Sequence, residues 1–215
     1  MMKDFKLGIR LLKYGYGIKP NLFFAGLFLA MGICFHLFVP VNGVWMTYLM
    51  ASASYLVQIL SSLHVTAIAN SSSRRKVLYT KIPVLISLPF YLLLYVAGCL
   101  VELWMLYIGR RQEHEVVQSV IMAGLIMVGV MIYMGGAFKY FAASAVMVCV
   151  VILFIIFGGN FIFEILEFHI SIGAAMLTGL VAVPLGAVLQ YLLTLLLYRH
   201  PASKAAQMRK LKKYM

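Results

Sequence analysis

Six long runs of apolar residues, separated by short polar segments, dominate this chain of 215 residues. A helix needs roughly 20 apolar residues to cross the hydrocarbon core of a bilayer, and each run is about that long. Only 11% of the residues are charged, whereas about a quarter of a soluble domain is charged. The chain is therefore predicted to be an all-α integral membrane protein. Its six predicted transmembrane helices cover residues 21–39, 44–69, 82–108, 116–138, 140–160 and 171–198.

The distribution of basic residues predicts the orientation of these spans. All but two of the 18 lysines and arginines fall on one side of the membrane if the spans alternate in direction; the exceptions are Arg110 and Arg111. Lys and Arg are retained on the cytoplasmic side, so both termini are expected in the cytoplasm of a multi-pass protein of the cell membrane. The formal net charge of +12 does not indicate nucleic-acid binding, because the charges lie between apolar runs rather than on one folded face.

Aromatic residues at the predicted outer ends agree with this orientation. Trp45 and Tyr48 begin the second span, and Trp104 and Tyr107 end the third; such rings prefer the level of the lipid headgroups. Glu102 is the only acid inside a predicted span. Its side chain is expected to reach the outer interface beside these rings, and a proton relay or a substrate contact is the alternative.

Residues 1–20 form a separate N-terminal element. The spacing of the basic and apolar residues within 3–16 predicts an amphipathic helix in the plane of the inner leaflet, with an ordinary positively charged flank as the alternative. Its basic face consists of Lys3, Lys6, Arg10 and Lys13, and its apolar face of Phe5, Ile9, Leu12 and Tyr16. At the other end of the chain, residues 199–215 are predicted to be a basic cytoplasmic tail.

The loop at 70–81 is the most polar connection on the predicted inner side. Asn70 and the serines that follow it are good helix N-caps, so residues 74–81 are predicted to form a short basic helix. Pro83 disfavours the helical conformation at Ile82, and a bend is expected there.

Small and weakly polar residues follow helical spacing in two spans. In the second span the set has two open interpretations, close helix packing or the lining of a wettable cavity; it consists of Ala51, Ser54, Gln58, Ser61 and Ser62. In the sixth span the set predicts a packing face; it consists of Ala175, Gly179, Ala182 and Gly186. Between the fifth and sixth spans, Glu164 and Glu167 indicate a short amphipathic segment at the outer leaflet.

Motifs that carry catalysis are missing from the sequence. There is no GxxxxGK[ST] phosphate loop, no HExxH and no GxSxG. The cysteines Cys34, Cys99 and Cys149 are isolated within apolar runs. The chain is therefore predicted to be neither an enzyme nor a metal or cofactor protein.

The chain resembles the permease subunit of a type-2 ABC transporter (the ABC-2 family), and its small size is similar to that of bacterial exporters of amphipathic peptides such as phenol-soluble modulins. The resemblance covers the basic amphipathic N-terminal helix, the six spans, the loop after the second span and the broken outer segment before the sixth. Its closest approach to a motif is Ser72-Ser73-Arg74-Arg75-Lys76 followed by Thr80-Lys81-Ile82-Pro83.

This resemblance implies a partner ATPase and a division of roles along the chain. The loop at 70–81 would dock into the ATPase, which would bind ATP and Mg, and two permease copies, as a homodimer, would pair with two ATPases. The residues implied in coupling are Ser72, Ser73, Arg74, Arg75, Lys76, Tyr79 and Lys81. Ser54, Gln58, Ser61 and Ser62 would line the path of a peptide substrate, and Lys3, Lys6, Arg10 and Lys13 would contact inner-leaflet lipid.

Two other functions fit the same pattern of spans. A vitamin-binding S-component of an energy-coupling-factor transporter also has six spans, and would need a compact polar pocket near the outer face. A membrane scaffold without transport activity is the other alternative. The basic loop at 70–81 favours the permease, because an S-component gives that loop no role.

Overall fold

The computed structural model of the chain describes residues 2–12, 18–38, 45, 48–49, 51–55, 59, 73–137, 140, 146–147, 149–155, 158 and 170–199. The regular structure of these residues is α-helical, with no β-strand among them. The helices with described bounds are α1 (Met2–Leu12), α2 (Ile18–Phe38), α3 (Arg75–Tyr107), α4 (Glu113–Ala137) and α5 (Ile172–Arg199). Residues 51–55 and 149–155 are helical as well.

Four of these helices, α2 to α5, are long and apolar enough to cross a membrane. They correspond to the first, third, fourth and sixth predicted spans, and their bounds agree to within a few residues except at the start of α3. Large parts of the second and fifth predicted spans lie outside the described residues, so the number six stays a prediction. Residues 13–17, 161–169 and 200–215 also lie outside.

The long helix α3 shows how the bundle is arranged relative to its surroundings. One face of α3 is buried and contains Tyr91, Tyr95 and Glu102, whereas the opposite face exposes Leu93 and Leu100. A soluble helix has the reverse pattern, with polar residues outside. An apolar exterior around a more polar interior is what a lipid environment favours, because lipid does not hydrogen-bond to polar groups.

The helical conformation of α3 continues through Ile82 and Pro83, contrary to the sequence prediction for Ile82. The helix runs without a break from Arg75 to Tyr107 and contains both Pro83 and Pro89. Proline is tolerated in membrane helices because neighbouring helices hold the backbone in place, and here Ile82 and Pro83 are both buried. The predicted serine cap is also wrong for the described residues: Arg74 is the N-cap, it makes no side-chain capping bond, and Ser73 lies in the preceding turn.

The centre of the bundle is α4. In the most apolar stretch of α4, 67% of the residues are buried within the protein, whereas the corresponding share is 28% for α3 and α5 and 6% for α2. Glycines allow α4 and α5 to approach closely: a Cβ atom on Gly124 would lie 3.1 Å from the Cα of Gly179, and one on Gly135 would lie 2.9 Å from the backbone oxygen of Gln190. Gly186 packs likewise against Val128 of α4. The predicted small-residue face of α5 is thus confirmed as a packing face.

Aromatic rings join α2 to the described residues between 45 and 55. Phe24 stacks on Tyr55, Phe35 stacks on Tyr48 with ring centroids 4.8 Å apart, and the ring of His36 lies 4.4 Å from that of Trp45. Residues later in α2 pair with residues earlier in the 45–55 segment. The two segments therefore run antiparallel, as consecutive membrane spans do.

The two ends of the bundle differ in what they bring together. At one end, Tyr79 near the start of α3 lies beside Leu11 of α1 and Tyr198 of α5, and the two tyrosine rings are 6.4 Å apart. This places α1, the start of α3 and the end of α5 on the same side of the bundle, as the predicted topology requires. At the other end, a turn through Gly109, whose φ is 70°, connects α3 to α4.

Candidate functional site

A buried polar cluster lies near the turn that connects α3 and α4. Its central residue is Glu102, on the buried face of α3, whose side chain is fully inaccessible. The indole Nε1 of Trp45 donates a hydrogen bond of 2.8 Å to Oε1 of Glu102. The hydroxyl of Ser119 in α4 donates a second bond, of 2.7 Å, to the same oxygen. One carboxyl oxygen thus joins the 45–55 segment, α3 and α4.

The second carboxyl oxygen has a different environment. Oε2 of Glu102 is buried and has no hydrogen-bond partner among the described residues. Both ring nitrogens of His36, which packs against Trp45, are also buried and have no hydrogen-bond partner among the described residues. Buried polar atoms are nearly always paired in proteins, so such atoms clustered in one place identify this region as the candidate functional site.

Charged and titratable groups from several elements act on this cluster. His36 of α2 is within electrostatic reach of both Glu102 and Arg111, and Cys99 of α3 is within reach of Glu102. Arg111, in the turn before α4, is itself buried. The cluster therefore combines an acid, an imidazole and a guanidinium group inside an apolar bundle, which is where ionisable residues usually have functional roles.

The position of Glu102 corrects the expectation that its side chain reaches the outer interface. The carboxyl points into the bundle and is bonded to two neutral donors. Trp45 is also buried, so its ring does not belong to a headgroup belt, whereas Trp104 and Tyr107 are exposed as that prediction required. Glu102 and Trp104 are two residues apart and therefore lie on different sides of the helix. Sequence alone did not show which of the two sides faces inward.

At the opposite end, α1 docks against the start of α3. Nζ of Lys81 donates a hydrogen bond of 3.0 Å to Oδ2 of Asp4. This bond lowers the pKa of Asp4 below its ordinary value. Gly8 allows the close approach: a Cβ atom there would collide with the side chains of Ile82 and Ile86. Asp4 and Gly8, with Leu11, thus form a third face of α1, in addition to the predicted basic and apolar faces.

The two predicted faces of α1 remain available on its outer surface. Lys6 and Arg10 are exposed, Phe5 is partly exposed, and Ile9 is half exposed although it is apolar. This arrangement suits a helix that lies along a membrane surface with its basic residues toward headgroups. The side chains of Lys3 and Leu12, together with Lys13 and Tyr16, lie outside what the structure describes.

The residues predicted to couple to an ATPase divide into two groups. Ser73, Arg74, Arg75 and Lys76 are exposed at the start of α3. Tyr79 is buried, with the guanidinium of Arg75 5.8 Å from its ring centre, and Lys81 is bonded to Asp4. Tyr79 and Lys81 therefore hold α1 and α5 in place, and the surface available to a partner is residues 73–76. Ser72 lies outside the described residues.

Of the residues predicted to line a substrate path, the structure describes only Ser54. Its side chain is buried, and its hydroxyl donates a hydrogen bond of 2.7 Å to the backbone oxygen of Ala51 in its own helix. Ser52 makes the same type of bond to Leu49, 2.6 Å long. Gln58, Ser61 and Ser62 lie outside the described residues, so packing and cavity lining both remain possible functions of this set.

Sequence reasoning missed His36, Arg111 and Ser119 as members of one site. It also missed a buried polar pair in which the hydroxyl of Ser87 in α3 lies 3.2 Å from Oε1 of Gln190 in α5. A buried acid in a predicted span was the available signal, and it indicated Glu102 without its partners. Those partners come from other helices, and contacts between helices cannot be inferred from spacing within one.

Comparisons with models of protein families, with curated proteins and with solved structures found no match to this chain. The described part of the chain contains no group of three or more His, Cys, Asp and Glu side chains that could hold a metal ion. The class that the fold defines is a multi-helix protein with several helices suited to cross a membrane.

Proposed function

We propose that this chain is the membrane subunit of an ATP-driven exporter of the ABC-2 type, which moves amphipathic or hydrophobic peptides out of the cell. The observation that carries the proposal is the start of α3. The exposed residues 73–76, of which the last three are basic, lead directly into a helix of 33 residues that reaches the buried cluster at the other end. A partner that binds residues 73–76 would therefore hold one end of a continuous helix whose other end lies at the Glu102 cluster.

The packing around α3 supports this use of the helix. Arg75 and Glu102 are 27 residues apart, which corresponds to about 40 Å along the helix axis. Two contacts join α1 to the N-terminal part of α3, the Asp4–Lys81 bond and the packing of Gly8 on Ile82. The two elements would therefore move together. Displacement of residues 73–76 would then tilt α3 against α4 and α5, and would change the contacts around Glu102.

The rest of the mechanism follows from a split system. ATP and Mg would be bound by a separate ATPase subunit, and two permease copies, as a homodimer, would act with two ATPases. A peptide with one apolar face would partition from the inner leaflet and enter between the spans, where Ser54 and its neighbours would contact its backbone. Alternation between an inward-open and an outward-open bundle would release it outside.

The proposal is tested by purifying the tagged full chain in detergent from the cells that naturally make it, and assaying ATP hydrolysis. The test variant reverses the exposed charges, R74E/R75E/K76E. The control variant reverses two exposed charges of α1 at the same end, K6E/R10E. We expect ATP hydrolysis to copurify with the wild-type chain and with the control, and to fall at least tenfold in the test variant.

The control separates loss of a protein partner from loss of lipid contact, because both variants remove basic residues from one end of the bundle. Equal amounts of both variants in the membrane fraction would show that insertion is unaffected. Equal ATP hydrolysis in the test variant and the wild type, or none in either, would contradict the proposal. A membrane protein that copurifies in place of an ATPase would favour the S-component, whose polar pocket the Glu102 cluster would supply.

A further inference from the structure

The hydrogen bonds of Glu102 are distributed unequally between its two oxygens. Oε1 accepts bonds from both Trp45 and Ser119, whereas Oε2, equally buried, has no partner among the described residues. An ionised carboxylate has two equivalent oxygens that both accept hydrogen bonds, but a neutral carboxylic acid has one accepting carbonyl oxygen and one hydroxyl that donates. Both described bonds fall on Oε1, which suits the accepting carbonyl oxygen of a neutral acid, and an unpartnered hydroxyl at Oε2 is less costly to bury than an unpartnered share of a negative charge.

We propose that Glu102 is a proton-binding site, with the proton carried on Oε2 while this end of the bundle is closed. Proton release breaks the O–H bond, leaves the electron pair on Oε2 and transfers the proton to water that enters when the end opens. Because the ligand is a proton, it fits a site in which Glu102 has no accessible surface. The proposal does not depend on the exporter function or on a partner ATPase.

The groups that face Glu102 come from each element packed around it. They are His36 from α2, Trp45, Cys99 from α3 itself and Ser119 from α4, while the guanidinium of Arg111 in the turn acts on His36. Trp45 and Ser119 are neutral donors, so they stabilise either form of the acid. His36 is a side chain that also exchanges a proton near neutral pH, and any pH dependence of the site must be separated from its titration.

Proton release would open this end because Glu102 has no accessible surface and its described hydrogen bonds come from neutral groups. A carboxylate left in such a place favours contact with water, since burial of an isolated charge is strongly unfavourable. Water reaches Glu102 most directly by separation of the 45–55 segment from α3, because the bond from Trp45 is the described link between them at this site. The indole of Trp45 should therefore report the protonation of Glu102.

The chain contains two tryptophans, Trp45 and Trp104, and the second is exposed on the lipid-facing side. Replacement of Trp104 by Phe leaves Trp45 as the single fluorescent reporter. Three chains are compared in that background: the W104F chain, W104F/E102Q and W104F/H36Q. Gln at 102 keeps an oxygen that accepts both hydrogen bonds but has no acidic proton.

The deciding measurement is infrared spectroscopy of the W104F chains in nanodiscs between about pH 5 and pH 9, with Trp45 fluorescence recorded on the same samples. We expect the C=O band of a protonated acid at low pH. The band should disappear as the pH rises, together with a red shift of the Trp45 emission. Both signals should be absent in W104F/E102Q and present in W104F/H36Q.

Each other outcome contradicts the proposal. If no acid band depends on Glu102 at any pH, the side chain is ionised throughout. If the band persists across the whole range, the acid is permanently neutral and binds no exchangeable proton. If the pH response survives in W104F/E102Q but is lost in W104F/H36Q, His36 is the titrating group. None of these results would affect the ATPase assay with the residue 73–76 variant.

Discussion

The two ends of the bundle each use one carboxyl group to join helices, and they do so in opposite ways. At the α1 end, Asp4 is paired with the cation of Lys81 at an accessible position. At the other end, Glu102 has no accessible surface and is held by two neutral donors. The same chemical group is thus a surface charge at one end and a buried hydrogen-bond acceptor at the other.

This difference shows what each environment requires of an acid. Water screens the charge of Asp4, so the pair with Lys81 positions α1 without strict demands on its geometry. Water does not reach the carboxyl of Glu102, so its hydrogen bonds determine whether the group is tolerated there. The Glu102 end should therefore be sensitive to single substitutions, and the α1 end should be tolerant of them.

The largest effect is expected when each carboxyl is removed in turn. E102A leaves the donors of Trp45 and Ser119 buried without an acceptor, at about 1–3 kcal/mol each. We expect the apparent melting temperature in detergent to fall by many degrees. D4A, the matched control at the other end, should melt as the wild type does. If E102A melted at the wild-type temperature, the buried cluster would have no structural role.

The close packing of α4 against α5, the helices that connect the two ends, is tested by two Gly→Ala substitutions. G135A places a methyl group 2.9 Å from the backbone oxygen of Gln190, which cannot move aside as a side chain can. Such overpacking typically costs about 1–3 kcal/mol. The same change at Gly26, where no atom lies within 4 Å, should stabilise its helix slightly, since Ala is the better helix former.

Thermal unfolding of the two Gly→Ala variants, followed by circular dichroism, decides this comparison. A lower midpoint for G135A and an unchanged or higher midpoint for G26A are expected. Equal midpoints would mean that the close approach of α4 and α5 at Gly135 does not contribute to the stability of the bundle.

A smaller effect is expected when one donor at the buried cluster is removed. W45F deletes the bond to Glu102 and should destabilise the protein by about 1 kcal/mol, the net contribution of a typical hydrogen bond. W104F, at an exposed ring, should have little effect on stability. Chemical denaturation monitored by circular dichroism would measure both. If W104F were the more damaging change, the assignment of inner and outer faces to α3 would be wrong.

The smallest effect is expected from the titration of Asp4. Its pKa is lowered in the folded protein, so its contribution to docking of α1 is fully present above its ordinary pKa of 3.8 and is lost as the pH falls through the lowered value. Docking of α1 should therefore be constant from pH 5 to 8 and weaken in stronger acid. Acid would thus loosen the α1 end, whereas proton binding would close the Glu102 end.

Fluorescence anisotropy of a dye at position 6 would follow this docking, with Lys6→Cys introduced into a chain whose native cysteines are replaced by Ala. D4N should show no change of anisotropy with pH in this range, because its amide has no acidic proton and forms no ion pair with Lys81. A pH response that survived in D4N would show that another group controls the docking of α1.

Much of the fold was predictable because the bilayer imposes simple rules. The lengths of α2, α4 and α5 follow from runs of apolar residues, and the small-residue face of α5 follows from its spacing. The predicted loss of helical conformation at Ile82 was wrong, because the local preference of the residue before proline was overridden by burial of Ile82, which lies against Gly8 of α1. A local rule holds only where tertiary contacts leave the backbone free to follow it.

The candidate site was less predictable than the fold. Glu102 was recognisable as an unusual residue, but its expected position at the interface was wrong, and His36, Arg111 and Ser119 gave no sign that they belong with it. These residues are between 9 and 66 positions from Glu102 along the chain. A site built across helices depends on the rotation of each helix about its axis, which hydropathy does not determine.

The sequence by itself determined that this chain forms long apolar helices, and it predicts that most basic residues lie on one side, because the transfer of charge into lipid is unfavourable for any arrangement of the helices. Only the tertiary structure decided which face of α3 points inward. That choice depends on shape, since Gly179 of α5 leaves room for the ring of Tyr95, and Tyr91 and Glu102 are buried on the same face of α3.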